Sequence, residues 1–148
     1  MKISIGSDHA GFAYKDALAA MLRAEGHDVT DVGTFSEESV DYPDYGIAAA
    51  KLVANGTASA GVLVCGSGIG ISIAANKVHG IRAANCTSVE MAALARQHND
   101  ANMVAVGQRL VTLETAMDIV RTFLATAFEG GRHQRRVDKI EATEGTLP

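Results

Sequence analysis

The chain has 148 residues, and 13 Lys and Arg against 17 Asp and Glu leave a formal net charge of 13 − 17 = −4. That length suits one compact domain with a core of its own, and 47% hydrophobic with 20% charged residues excludes a disordered chain. The acidic balance excludes a general nucleic-acid-coating surface, and no run of about 18 apolar residues offers a membrane-spanning helix.

The predicted elements alternate between short β-branched runs and longer alanine-rich segments. A strand is expected over 3–5, ending at Gly6-Ser7-Asp8, and a helix over 13–25, where Leu18, Met21 and Leu22 recur at helical spacing and Gly26 stops the pattern. A second strand over 27–32 leads into a polar stretch, 33–44, that holds Pro43; a helix follows over 45–54, with Asn55-Gly56 as its stop. The run 61–65, GVLVC, is apolar at every position, as in a strand buried on both faces of a parallel sheet. After residues 66–70 a helix runs to about Lys77, then come a strand over 81–86, a helix over 88–97, a strand over 103–106 and a long amphipathic helix over 112–128. Past Gly130-Gly131 the chain becomes a basic, mostly helical tail, 130–148.

Five strands alternating with about six helices predict a single-domain α/β protein. The expected form is a Rossmann-like three-layer α/β/α sandwich on a five-stranded parallel sheet, with ligands beyond the carboxyl ends of the strands. The opening MKISIGSDHAGF lacks the apolar run of about 7–15 residues and the cleavage site of a secretory leader. Cys65 and Cys86 make no disulfide framework. A cytoplasmic protein is therefore expected.

The loop at 7–11 sets Asp8 and His9 side by side at the active end of the sheet, where Asp8 serves either as a helix cap or as a site carboxylate. The loop after 61–65, Cys-Gly-Ser-Gly-Ile-Gly, places three glycines at alternate positions between a strand and a helix. Such glycines let a ligand approach the backbone, and free N–H groups at the helix start bind an oxyanion. The dinucleotide spacing GxGxxG is absent, as is a Walker-type Lys-Ser/Thr. A thiol at a helix N-terminus ionises more readily, so Cys65 is a candidate nucleophile or base. Cys86, without a glycine loop behind it, reads as a packing residue. His98 either complements a helix end or joins the chemistry. Arg132 and Arg136, at i and i+4, offer a fork for phosphate or a solvated helix end. The five histidines lack zinc-site spacing.

The segments SDHAGF, DYPDYG at 41–46, CGSGIGISIAANKVHGIRA at 65–83, RQHNDANM at 96–103 and EGGRHQRRV at 129–137, taken in order, resemble the ribose-5-phosphate isomerase B family. That family also includes allose-6-phosphate and galactose-6-phosphate isomerases. The resemblance implies an aldose–ketose isomerase that needs no metal or cofactor and works through a cis-enediolate. It implies Cys65 as base, His98 as acid for ring opening, Asp8 on the sugar hydroxyls and Ser67 as the loop hydroxyl where relatives often carry threonine. It further implies substrate binding by His9, Tyr42, Gly66, Ser67, Gly68, Ile69, Gly70, Asn99, Arg109, Arg132 and Arg136, with the arginines on the phosphate side. Ile71 stands where another branch carries a glutamate base, so the chain resembles the cysteine type. A homodimer, or a tetramer of paired dimers, with the site between subunits is likewise implied, with no nucleic-acid or membrane partner. The alternatives are an isomerase of a hexose or tetrose phosphate and a non-catalytic phosphosugar- or nucleotide-binding module.

Overall fold

Every residue of the strand Ala60–Cys65 is buried, because its side chains point alternately into two separate hydrophobic layers. The structure, a computed structural model, describes residues 1–143. Strands β1 (Lys2–Ser7), β2 (Asp28–Asp31), β3 (Ala60–Cys65), β4 (Ala83–Asn85) and β5 (Met103–Gly107) pair in parallel in the order β2-β1-β3-β5-β4. The helices are α1 (Phe12–Ala24), α2 (Tyr42–Ala54), α3 (Ile69–Asn76), α4 (Val89–Asn99), α5 (Leu113–Ala125) and α6 (Arg132–Thr143). The expected three-layer architecture is the one observed; residues 144–148 of the expected tail lie outside the described residues.

One face of the sheet sends Ile3, Ile5, Val62, Val64, Val104 and Val106 against Leu18 and Leu22 of α1, Ala92 of α4 and Ile119, Val120 and Phe123 of α5. Each such side chain contributes roughly 1.5–3 kcal/mol on burial. The opposite face carries Leu63, Cys65, Met103 and Ala105 against Ala49, Ala50, Ile71 and Ala75. Its helices, α2 and α3, are built of small residues and approach closely. A Cβ on Gly46 would lie 2.8 Å from Ile71.

Most boundaries differ from the expected ones by one or two residues, and three of the shifts have a plain physical reason. α2 starts at Tyr42 rather than 45, since Pro43 sits in the first turn, where its missing N–H has no partner to lose. The expected strand 81–86 contracts to Ala83–Asn85, because the N–H of Arg82 donates to the Asn102 side chain instead of a neighbouring strand. α5 stops at Ala125, where Thr126 turns extended. Among the described residues no helix is long and apolar enough to cross a membrane.

The strand order places β2 on one side of β1 and β3 on the other. The chain therefore diverges at the carboxyl ends of β1 and β3, and a crevice opens there. α6 packs against α4 alone among its closer contacts. It is tied down by an Arg82–Glu141 ion pair and by the Glu129 N–H, which donates to the Gln97 carbonyl.

Candidate functional site

A cleft of about 350 Å³ fills that crevice, lined by Asp8, His9, Tyr42, Cys65, Ser67 and Arg109, with Gly66, Gly70, Ala10 and Leu110 completing its wall. Eight residues proposed from sequence thus meet in one place, drawn from three loops and the first turn of α2. Gly68 and Ile69 belong to the same glycine loop but do not line the cleft; Ile69 is half exposed on the outside. Ala10 and Leu110 line it from the loops after β1 and β5, and an alanine and a leucine carry no chemical signal in sequence.

Cys65 ends β3 with its side chain in the α2/α3 layer, and the Gly68 N–H donates to its sulfur at 3.1 Å. Gly68 sits at φ +77, the left-handed region that glycine tolerates, and a Cβ there would collide with Asn85 Oδ1. Gly70 has a second reason to be glycine: a Cβ would stand 2.6 Å from the Tyr42 ring, so the ring lies directly on the first turn of α3. Among the described residues nothing accepts from the N–H groups of Gly66, Ser67 or Gly70. They lie on the same stretch of chain as the Gly68 N–H that holds the sulfur. Cys86, by contrast, is 1% exposed in the other layer, and burial pushes its thiol up to about 11.

Asp8 does both things its position allowed. Its Oδ1 accepts from the Gly11 N–H at 3.1 Å, capping a 3-10 turn at His9–Gly11, while the side chain lines the cleft. His9 Nδ1 accepts from the Val40 N–H at 3.2 Å, which leaves the ring's own proton on Nε2. Across the cleft the Arg109 N–H donates to the Gly66 carbonyl at 3.0 Å. No carboxylate among the described residues pairs with the Arg109 guanidinium. A cation without a counter-ion, beside free N–H donors, suits an anionic ligand.

His98, Asn99, Arg132 and Arg136 do not join this cleft within one chain. His98 and Asn99 end α4, just before β5 begins, and so stand at the amino-terminal edge of the sheet. Arg132 and Arg136 lie exposed on α6, unpaired among the described residues. The His98 ring stacks on His133 with centroids 4.3 Å apart and planes 9° from parallel, and His98 Nε2 lies 3.8 Å from Glu129 Oε1. His133 is held below the ordinary imidazole value, first by burial, then by the charges of His98 and Arg132. The three side chains offer ligand atoms within 4.8 Å of one another, but stacked rings send their in-plane lone pairs side by side, not toward one ion.

Comparison with known proteins adds a family match. Residues 3–140 match the ribose/galactose isomerase family model. The chain is 50% identical over 143 residues to ribose-5-phosphate isomerase B of Escherichia coli, covering 97% of this chain and 96% of that protein. It superposes on the structure of Clostridium thermocellum ribose-5-phosphate isomerase B with TM-score 0.97 and 53% identity, over 99% of each chain. The Mycoplasma genitalium enzyme of the same name, solved with bound ribulose-5-phosphate, gives TM-score 0.93 at 42% identity over 99% of this chain and 97% of that one.

Proposed function

The chain belongs to the ribose/galactose isomerase family, and from that premise we propose that it interconverts ribose 5-phosphate and ribulose 5-phosphate. The observation that carries the proposal is the Cys65 sulfur held by the Gly68 N–H, on a stretch of chain whose Gly66, Ser67 and Gly70 N–H groups are free, in a cleft that also holds Asp8 and an unpaired Arg109. The substrate name is supported by its relatives, one of which was solved with ribulose-5-phosphate bound.

In the forward direction the Cys65 thiolate removes the proton from C2 of the open-chain aldose. The C–H electron pair becomes the C1–C2 double bond, and the carbonyl pair moves onto O1 as an enediolate. The loop donors stabilise that oxyanion without reorganising, an effect worth about 3–4 kcal/mol per donor in other enzymes. Cys65 then returns the proton to C1, the double-bond pair forming the new C–H bond, while the O2 proton passes to O1 and leaves C2 as the ketone, with the Ser67 hydroxyl beside the same oxygens. Asp8 binds sugar hydroxyls, Tyr42 walls the reacting end, and His9 and Arg109 face the phosphate.

A second copy of the chain supplies the rest in our proposal: His98 for ring opening, Asn99 for the sugar, and Arg132 with Arg136 for the phosphate. A homodimer, alone or paired into a tetramer, is supported by the distance of these residues from their own chain's cleft. It is supported too by half-exposed Ile69 and Ile73 on α3 and Val89, Met91 and Leu94 on α4. A cytoplasmic setting fits two free, buried cysteines.

The test is an isomerase assay in chelator over ribose 5-, allose 6-, galactose 6- and erythrulose 4-phosphates. Preferred turnover of the pentose is expected. A hexose or tetrose preference would reassign the substrate, and no turnover of any would leave a binding module.

A further inference from the structure

Lys15, in α1, is 0% exposed, a state lysine almost never adopts without a counter-charge. Its Nζ stands 2.6 Å from Asp31 Oδ2 and 3.0 Å from Asp16 Oδ1. The Phe12 and Phe35 rings cover the ammonium, with centroids at 5.4 and 5.1 Å. Phe35 is itself 69% exposed, so its ring caps the lysine rather than filling a core.

The contacts continue from Lys15 to the cleft. Asp31 turns its other oxygen, Oδ1, to accept from the Gly33 N–H at 2.9 Å. The Gly33 carbonyl accepts from the Ser7 N–H, and the Thr34 N–H donates back to the Ser7 carbonyl, both at 2.8 Å. Ser7 immediately precedes Asp8. The far end of the same loop brings Val40, whose N–H fixes His9 through Nδ1. Asp8 and His9 therefore both rest on a segment whose root is held by one ion pair.

We propose that Lys15 is a positioning residue: its ion pair with Asp31 clamps the root of the loop 33–40 and thereby sets Asp8 and His9 in the cleft. A desolvated pair suits this task because its geometry is stiff, whereas an exposed pair would be screened and mobile. The kinetic part of the test rests on the isomerase proposal; the spectroscopic part does not.

Lys15→Met alone strands the Asp31 carboxylate and is expected to melt early. The paired replacement K15M/D31L removes both charges, and such apolar substitutions for buried pairs commonly keep the fold. In the parent at about pH 8, two-bond proton–nitrogen spectra should show His9 as a single Nε2–H tautomer. In the paired variant, with a cooperative melt retained, they should show a mixture. Its kcat/KM on ribose 5-phosphate should fall about tenfold or more with KM rising, as expected when the groups that hold the sugar hydroxyls and the phosphate are misplaced. A folded paired variant with the parent tautomer and parent kcat/KM would overturn the proposal. If the paired variant does not fold, Asp31→Asn keeps an acceptor for Gly33 but drops the charge facing Lys15. Mixed His9 tautomers are expected there as well, and a parent-like spectrum overturns the clamp. An inactive parent would remove the isomerase proposal while leaving the His9 spectra to decide the clamp.

Discussion

Cys65 and His98 stand at opposite ends of one strand. Cys65 pairs with Gly107, the last residue of β5, whereas His98 ends the helix that feeds Met103, the first. Five strand residues separate them, roughly 15 Å along the sheet, too far for one sugar phosphate to engage both in the same chain. The roles proposed for them, base and acid of one reaction, therefore require two copies of the chain.

Mixing is the direct check. Cys65→Ala and His98→Asn homomers should each be inactive, and denaturing and refolding them together should restore activity. Random pairing into dimers gives about a quarter of the parent's intact sites. No recovery in a mixture shown by mass spectrometry to contain heterodimers would mean that base and acid belong to the same chain.

For Cys65 alone, substitution by alanine should lower kcat by about 10²–10⁴-fold, the range of a lost general base. Binding of ribose 5-phosphate, followed by calorimetry, should persist within a few-fold. Parent-level turnover would remove Cys65 from the chemistry.

The two thiols should also differ in reactivity. Both thiols are buried, but Cys65, 4% exposed, lines the cleft, whereas Cys86, 1% exposed, lies in the core and is pushed up to about 11. Iodoacetamide near neutral pH should label one cysteine per native chain, with loss of activity, and both after unfolding in urea. Peptide mapping that finds Cys86 labelled in the native protein would contradict this ordering.

Gly70→Ala sets two small effects against each other. A helix gains up to about 1 kcal/mol from replacing glycine by alanine. The new Cβ, however, meets the Tyr42 ring at 2.6 Å, and Tyr42 is 40% exposed, so it can swing away. Stability should therefore change little, while KM for the sugar phosphate rises several-fold as Tyr42 leaves the wall. An unchanged KM would show that Tyr42 does not touch the substrate.

His133 makes a stability prediction with a definite sign. Its folded pKa lies below the ordinary value of 6.5 because burial and the neighbouring His98 and Arg132 oppose its charge, against a smaller opposite pull from Glu129. Between the two values the unfolded chain binds the extra proton, so this contribution is complete above about pH 6.5 and is lost as pH falls toward the folded value. Melting temperatures of the parent and of His133→Phe, which keeps a stacking ring without a titration, should diverge on going from about pH 7.5 to pH 5.5. Parallel curves would show that His133 does not titrate across folding.

Much of the fold was legible because β3 and β5 are buried on both faces, and a run such as GVLVC announces that directly. The start of α2 was not, since Pro43 carries the same local signal in a loop and in a first helical turn. Asp8, His9, Cys65 and the glycine loop were legible as types and spacings in strand-end loops, whereas Tyr42 and Arg109 came only through the resemblance. The proposed division of the site between two chains was signalled by the resemblance, with its site between subunits, and not by composition or periodicity, because docking leaves no local pattern. Lys15 escaped notice as one more helix charge. Its place three residues before Leu18 and seven before Leu22 put it on the core face, and that register was the available signal.

The attachment of α6 has an evolutionary consequence. Of the buried hydrophobic core only Val137 comes from this helix, and every other core member lies at or before Phe123. The cleft that holds Cys65 is thus lined entirely by residues that precede the arginine-bearing helix. If those arginines grip the substrate's phosphate in a neighbouring copy, the span between grip and base is set by how two copies dock, not by either copy's interior. Lineages could then lengthen or shorten the sugar they accept through surface changes alone, leaving the core and the glycine loop untouched.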